Sequence, residues 1–128
     1  MRGEPVVRHE IDPDERAVAH ARRVLYELLR NRGGPIVDDV LLATNELVTN
    51  VVRHTASGGE LRVWDRGPGA PLRVEVEDAD PTIPVMSAQP YDDGGPGLAI
   101  VQAVSAGWGV VPLPAGKIVW AEFSRHEQ

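Results

Sequence analysis

Two polar side chains, one helical turn apart, stand in an otherwise apolar segment. Glu46 and Asn50 are four residues apart, so a helix would place them on one face. A carboxylate and a carboxamide arranged in this way can hold hydrated magnesium, which takes oxygen ligands and keeps several waters. The carboxylate could also orient an attacking hydroxyl or water. The alternative is a solvated face on which Glu46 contacts Arg53. A contact between Asn50 and His54 is the other form of this solvated face, and spacing alone favours the alternative because such pairs are common on helices.

A second feature is a run of glycines before an apolar segment. The chain reads Asp92-Asp93-Gly94-Gly95-Pro96-Gly97-Leu98 and continues with apolar residues. Glycines let the backbone approach an anion, and the N-terminus of a following helix offers unpaired N–H groups and partial positive charge. The alternative is a flexible connector leading into a helix that begins with proline. A Walker-type phosphate loop is excluded, because no lysine followed by serine or threonine comes next.

A third feature is the acidic segment Val76-Glu77-Asp78-Ala79-Asp80-Pro81, which follows a strand-like run. A carboxylate at the end of a strand can accept a hydrogen bond from an amino group of a ligand. An aspartate that forms a turn is the more common explanation.

The first elements that must position these residues are a strand and a helix. A short edge strand is expected at Val6–Ile11. Asp12 is a suitable helix N-cap, Pro13 suits the first helical position, and Glu15 stands where a capping box needs it. Apolar residues then recur at helical spacing, and Arg30–Gly34 ends the helix with basic charge and glycines.

A second helix is expected from about Pro35 to His54, and it carries Glu46 and Asn50. Two strands follow, Leu61–Asp65 and Leu72–Glu77, joined by a glycine-rich hairpin connection. Residues 81–93 contain three prolines and little periodicity. A loop of this length in a small domain is usually functional or mobile.

The last elements are a third helix, at about Gly97–Ala106, and a hairpin that pairs Trp108–Val111 with Lys117–Phe123. Strands that arrive as hairpins predict a mostly antiparallel sheet. About three amphipathic helices can cover one face of it. The predicted fold class is therefore α+β, a two-layer sandwich. The length of 128 residues favours a single domain spanning residues 1–128.

Composition excludes several classes of function. The absence of cysteine excludes disulfide frameworks, thiolate zinc sites and cysteine nucleophiles. A net charge of −6 argues against general binding of nucleic acid. No apolar run approaches the roughly 18 residues needed to cross a membrane, and the N-terminus lacks the apolar stretch of a signal peptide. A cytoplasmic protein without a membrane partner is expected.

The three features, in this order along the chain, resemble the GHKL ATPase superfamily, and most closely the small bacterial anti-sigma factor kinases. The resemblance covers about residues 7–124 and rests on four segments. Glu46–His54 resembles the N-box, Val76–Pro81 the adenine-binding box, Gly94–Leu98 the glycine box, and Gly116–Glu122 the closing strand.

The resemblance implies a site for ATP and Mg²⁺. Asn50 would ligate the metal, and Glu46 would act as the base or orient the acceptor hydroxyl. Asp78 would accept a hydrogen bond from the exocyclic amine of adenine, and the loop between Pro81 and Gly94 would be the nucleotide lid. The implied cofactor-binding residues of the glycine box, where backbone amides would meet the phosphates, are Gly94, Gly95, Gly97 and Leu98.

The resemblance also implies protein partners. In the kinase members, the terminal phosphoryl group of ATP passes to a serine or threonine of a STAS-type anti-anti-sigma protein. The same domain sequesters a sigma factor. Family members often pair, so a homodimer stays open.

Three residues depart from the pattern of the family. Asp80 stands where glycine is usual, and Pro96 stands where a basic or polar residue is often found. Ile118 stands in the closing strand, which commonly offers a threonine near the adenine. Because Asp80 and Pro96 weaken the stabilisation of phosphate charge, ATP binding is a firmer expectation than catalysis. A non-catalytic GHKL-like module that binds a protein partner is therefore the alternative function.

Overall fold

One antiparallel sheet of five strands organises the described part of the chain. The computed structural model describes residues 3–30, 36–67, 69–81 and 96–124. Within these ranges, the elements in chain order are β1 (Val7–Ile11), α1 (Arg16–Leu29), α2 (Ile36–His54), β2 (Gly59–Trp64), β3 (Leu72–Asp78), α3 (Pro96–Val104), β4 (Gly107–Leu113) and β5 (Gly116–Phe123).

The strand order is β1-β2-β3-β5-β4, and every neighbouring pair is antiparallel. Strand β3 is therefore central. Its side chains alternate, so Leu72, Val74, Val76 and Asp78 are the buried set on one face. The predicted α+β sandwich is confirmed, and Asp78 ends the central strand on its core side.

The three helices cover the core side of this sheet. Helix α2 packs between α1 and α3 and also contacts β1, β3 and β5. Its buried residues recur at helical spacing. They are Val40, Leu41, Ala43, Thr44, Leu47, Val48 and Val51. Within the described ranges, no helix combines the length and the apolar character needed to span a membrane.

The predicted start of α1 is wrong by several residues. The helix begins at Arg16 after the N-cap residue Glu15, and the side chain that bonds its first N–H is Asp14 rather than Asp12. The Asp14 carboxylate accepts a hydrogen bond from the Arg16 backbone N–H at 2.7 Å, and the Asp14 carbonyl accepts one from Ala17 at 2.9 Å. A tight turn, in which the Asp14 N–H donates to the Asp12 carbonyl at 2.8 Å, takes up the residues between strand and helix.

Other boundaries shift by one or a few residues. Strand β2 begins at Gly59 and β3 extends to Asp78, because Gly59 and Asp78 are still paired in the ladder. The β4–β5 ladder continues to Leu113 and Gly116, which leaves a two-residue turn instead of the expected five-residue connection. Helix α3 begins at Pro96, one residue earlier than predicted. The predicted end of α1 at 31–34, Pro35, and most of the long loop lie outside the described residues.

The face of the sheet away from the helices carries a network of charges. Arg62 donates to Glu77 at 2.9 Å, and Arg73 donates to Glu75 at 2.8 Å. The guanidinium of Arg73 also lies 4.5 Å from the ring centroid of Trp120. Glu75 is only 1% exposed between these neighbours. Alternation along β3 thus predicts on which face of the sheet each side chain lies. The cross-strand neighbours determine how much of that side chain is buried.

Candidate nucleotide-binding site

The C-terminal half of α2 presents Glu46 and Asn50 at the edge of its buried stripe. Both side chains are half-buried, and the neighbouring Leu47 is buried. In the described part of the chain, no ion pair joins Glu46 to Arg53, and no hydrogen bond joins Asn50 to His54. The contacts expected of an ordinary solvated face are therefore not made.

A short connection fixes the end of α2 against the sheet. The Thr55 N–H donates to the Val51 carbonyl at 3.0 Å, and the Gly58 N–H donates to the Thr55 hydroxyl at 3.0 Å. Gly58 has φ +74°, a left-handed conformation that glycine adopts without strain. The next residue, Gly59, is the ladder partner of Asp78. The last turns of α2, with Asn50, therefore lie at the Asp78 end of the sheet.

Helix α3 points its N-terminus toward the same end. The Ala106 N–H donates to the Glu122 carbonyl at 2.8 Å, and β4 begins next to it, where Gly107 pairs with Glu122. That end of β5 is the one far from Lys117, which pairs with Asp78. Since the C-terminus of α3 is tied to the far end of the sheet, its N-terminus is directed back toward Asp78.

Asp78 is buried and fully engaged at one of its oxygens. Its Oδ1 accepts a hydrogen bond from Nζ of Lys117 at 3.1 Å and from the Asp80 backbone N–H at 2.9 Å. The same Nζ donates to the Asp80 carbonyl at 2.8 Å. The relative exposure is 8% for Asp78 and 6% for Lys117. A carboxylate, an ammonium and one turn of backbone thus form a closed cluster at the end of β3.

The residue of the closing strand that lies beside Asp78 is Lys117, not Ile118. Ile118 pairs with Glu77 and lies on the outer face, whereas Lys117 pairs with Asp78 on the core side. The position beside Asp78 therefore carries a strong hydrogen-bond donor. The signal was available in the sequence, because side chains alternate along a strand and Lys117 is the only lysine of the chain.

Asp80 does not strain the backbone where the family usually has glycine. In the described part of the chain, no residue other than glycine has a positive φ. The Asp80 N–H and carbonyl both bond within the Asp78 cluster. The turn after β3 is thus built around an aspartate without needing the conformational freedom of glycine.

The glycine box is only partly described. Gly94 and Gly95 lie outside the described residues, and Gly97 lies in the first turn of α3. The side chain of Leu98 is 0% exposed, in the hydrophobic core. Of Leu98, only the backbone N–H in the first turn of the helix is placed to meet a ligand.

Two glycines allow the strands around Asp78 to approach closely. A Cβ on Gly116 would clash with the carbonyl oxygen of Asp78, and a Cβ on Gly59 would clash with that of Glu77. Both glycines are therefore required sterically.

A cavity of about 590 Å³ opens at this end of the sheet. Its lining includes Asp78 and Ala79, but no residue of α2. Glu60 and Glu77 also line it, and their side chains belong to the outer face. Asp78 is therefore the residue that this cavity shares with the candidate site, while Asn50 lies on α2, outside its lining.

The residues present fit a magnesium ion that is held mainly by phosphate and water. Among the residues that the structure describes, no group of three or more acidic or histidine side chains could hold a metal by itself. Asn50 offers one half-buried side-chain oxygen with no hydrogen bond to the rest of the described chain. Magnesium commonly takes one or two protein ligands and completes its shell with substrate phosphates and water.

The fold is that of the GHKL class of ATP-binding sandwich. The family model for the histidine kinase-like ATPase domain matches residues 11–122. The chain belongs to this family.

A search of curated proteins finds no significant match. Among solved structures, nine chains match significantly. One is the crystal structure of the RsbU and RsbW domains of Rv1364c from Mycobacterium tuberculosis, with a TM-score of 0.69 and 19% identity. The match covers 92% of this chain and 32% of that one, so this chain spans about a third of the length of that relative. At this identity the likeness shows the fold.

Proposed function

We propose that this chain binds Mg-ATP at the Asp78 end of the sheet and acts as a serine/threonine protein kinase of the anti-sigma factor type. One observation carries the proposal. The chain directs three separate segments to one end of the fold: the end of β3 with Asp78, the last turns of α2 with Asn50, and the N-terminus of α3.

Each segment offers a group suited to a different part of the nucleotide. Asp78 is a buried acceptor for the exocyclic amine of adenine. Asn50 would hold Mg²⁺ through its side-chain oxygen. Gly94, Gly95, Gly97 and the backbone of Leu98 would offer N–H groups to the phosphates, aided by the dipole of α3.

Glu46 would serve the transfer step. It stands one helical turn before Asn50 on the same face of α2. Its carboxylate would accept the proton of an attacking serine or threonine hydroxyl, or hold that hydroxyl in line. Bound ATP supplies the phosphoryl group, and the protein supplies positioning and charge stabilisation.

The proposed partners follow from the family resemblance and from the solved neighbour, which carries RsbU and RsbW domains. A STAS-type anti-anti-sigma protein would receive the phosphoryl group, and a sigma factor would be sequestered. Both partners act in the cytoplasm, where we place this chain as a regulator of transcription.

A non-catalytic module that binds proteins is the second candidate, and Pro96 favours it. Pro96 is the first residue of α3 and has no backbone N–H, so the helix offers one donor fewer to a phosphate. Asp80 adds a negative charge near the nucleotide. Either change weakens phosphoryl transfer more than it weakens the binding of a partner protein.

The test is transfer of radiolabelled phosphoryl from ATP to a STAS protein encoded beside this chain. Glu46→Gln removes the proton acceptor and should reduce the rate about 10²-fold or more. Its ATP affinity should stay the same or rise, because a negative charge near the phosphates is lost. The matched control is Asn45→Ala, on the same helix next to Glu46. Transfer by Glu46→Gln at the wild-type rate would contradict the role of Glu46. Partner binding without any transfer by the wild type would favour the non-catalytic module.

A further inference from the structure

Lys117 is a buried cation beside Asp78, at the end of the central strand of the sheet. We propose that Lys117 recognises the base: its ammonium donates a hydrogen bond to ring nitrogen N1 of the adenine whose exocyclic amine bonds Asp78. This inference rests on the proposed binding of ATP and specifies how the base would be read.

The Lys117 ammonium has one more N–H donor than its neighbours in the described chain use. A lysine ammonium has three N–H groups and no acceptor. In the part of the chain that the structure describes, two of them are used, on Oδ1 of Asp78 at 3.1 Å and on the Asp80 carbonyl at 2.8 Å. The third N–H remains for a ligand. A buried donor without a partner raises the free energy of the protein. A ligand acceptor that bonds this N–H would therefore gain affinity.

The Asp78 carboxylate has one oxygen that accepts no hydrogen bond from the described residues. Both hydrogen bonds that the described residues donate to Asp78 end on Oδ1. A carboxylate has about four lone-pair sites on two oxygens, so Oδ2 keeps its acceptor capacity. The ion pair between Nζ of Lys117 and Oδ1 of Asp78, 3.1 Å apart, therefore offers a ligand one acceptor and one donor side by side.

Adenine presents the complementary pair of groups. Its exocyclic amine is a donor, and the adjacent ring nitrogen N1 is an acceptor. With the amine on Asp78, N1 faces Lys117. Guanine in the same pose would place its carbonyl oxygen against the carboxylate and its N1–H against the ammonium. Both contacts would be repulsive, so the pair would select adenine over guanine.

Lys117 is held in place before any ligand arrives. Its two anchors lie on one turn of backbone, and Asp78 is its ladder partner in β3. A side chain that is already ordered loses little further conformational freedom when it binds. The hydrogen bond to N1 would therefore contribute most of its strength to affinity.

The same contact allows the opposite behaviour, in which the lysine acts as a competitor. An ammonium on Asp78 could occupy the carboxylate and exclude the amine of the base. Recognition predicts that removing Lys117 weakens ATP binding, whereas competition predicts that it strengthens ATP binding. The change in ATP affinity on removal of Lys117 therefore distinguishes recognition from competition.

The experiment titrates ATP and its 1-deaza analogue, in which N1 is replaced by C–H, into the wild type and into Lys117→Met. Calorimetry should show about 10-fold to 100-fold weaker binding of the analogue by the wild type, the effect of losing a hydrogen bond from a charged donor. Lys117→Met should bind ATP and the analogue equally well. The double variant Asp78→Asn/Lys117→Met reports whether folding survives without the charges.

The wild-type comparison needs no variant, so the proposal can be tested even if Lys117→Met does not fold. Equal binding of ATP and the analogue by the wild type overturns the role of Lys117 and leaves ATP binding intact. Tighter ATP binding by Lys117→Met overturns it in favour of competition. Failure of the folded wild type to bind either nucleotide overturns the proposed function, and this inference with it.

Discussion

Nζ of Lys117 lies 3.1 Å from Oδ1 of Asp78 at the end of the central strand, and both side chains are almost completely buried. Breaking a buried ion pair by removing one partner is strongly destabilising, because the other charge is left uncompensated. The pair therefore has a structural role beside its proposed role in binding the base, and stability and affinity must be measured separately.

Asp78→Asn is expected to lower the free energy of unfolding by about 3–5 kcal/mol, the usual cost of leaving one buried charge unpaired. Asp78→Asn/Lys117→Met removes both charges and should recover most of that loss. Urea denaturation measures both variants. The control is Glu27→Gln, which breaks the exposed pair of Glu27 and Arg30 (3.5 Å) and should change stability by less than about 1 kcal/mol. A double variant no more stable than Asp78→Asn would show that the charges are not the cause.

Asn50→Ala is expected to abolish the enhancement of ATP affinity by magnesium. The variant removes the proposed metal ligand, so its magnesium-free affinity should change little. Calorimetric titrations with Mg²⁺ and with a chelator give the comparison. Asn45→Ala is the matched control, because Asn45 is half-buried on another face of α2. If Asn50→Ala kept the magnesium dependence of the wild type, the metal would be bound elsewhere.

Gly116→Ala is expected to destabilise the fold by about 1–3 kcal/mol or more, because its Cβ would overlap the Asp78 carbonyl oxygen. The shift of β3 should also weaken ATP binding. Gly107→Ala is a matched control near the other end of the β4–β5 hairpin, where the nearest atom to a Cβ is 3.8 Å away on Trp120. Thermal melts and ATP titrations of both variants test the expectation, and equal tolerance of the two substitutions would contradict it.

The helix cap at Asp14 predicts a pH dependence. Hydrogen bonds from the Arg16 side chain and backbone lower the pKa of the Asp14 carboxyl to about 2 from an ordinary 3.8. A carboxyl with a lowered pKa in the folded state stabilises that state above its ordinary pKa and loses the effect as the pH falls to about 2. The Tm of Asp14→Ala should therefore lie below that of the wild type at pH 7, and the difference should shrink between pH 4 and pH 2. A difference independent of pH would assign the effect to packing.

The sequence predicted the elements well, because their signals are local. Helical periodicity in α2 and strict alternation in β3 depend only on which residues face the core. The predicted start of α1 was wrong because Asp12 and Asp14 are both residue types that cap helices. Only the path of the chain after β1 determines which of the two lies at the helix N-terminus. Cross-strand registers are non-local, so the sequence could not show that Glu75 would be covered by neighbouring strands.

The candidate site was predictable in part for the same reason. Glu46, Asn50 and Asp78 carry local signals of spacing and of position at the end of an element. Lys117 belongs to the site only through its register with Asp78, across 39 residues of chain. The family resemblance predicts Ile118 near the adenine, but the pairing of β3 with β5 places Ile118 on the outer face.

The central claim is that this chain binds Mg-ATP, and the most direct test is the Tm of the wild type at rising concentrations of Mg-ATP. A ligand that binds only the folded state at about 100 times its Kd adds roughly 2.7 kcal/mol of stability, which for a domain of this size raises the Tm by on the order of 10 °C. We predict a saturating rise of this kind with Mg-ATP and a much smaller one with Mg-GTP. A wild-type protein whose Tm does not change at any concentration of Mg-ATP would contradict the claim.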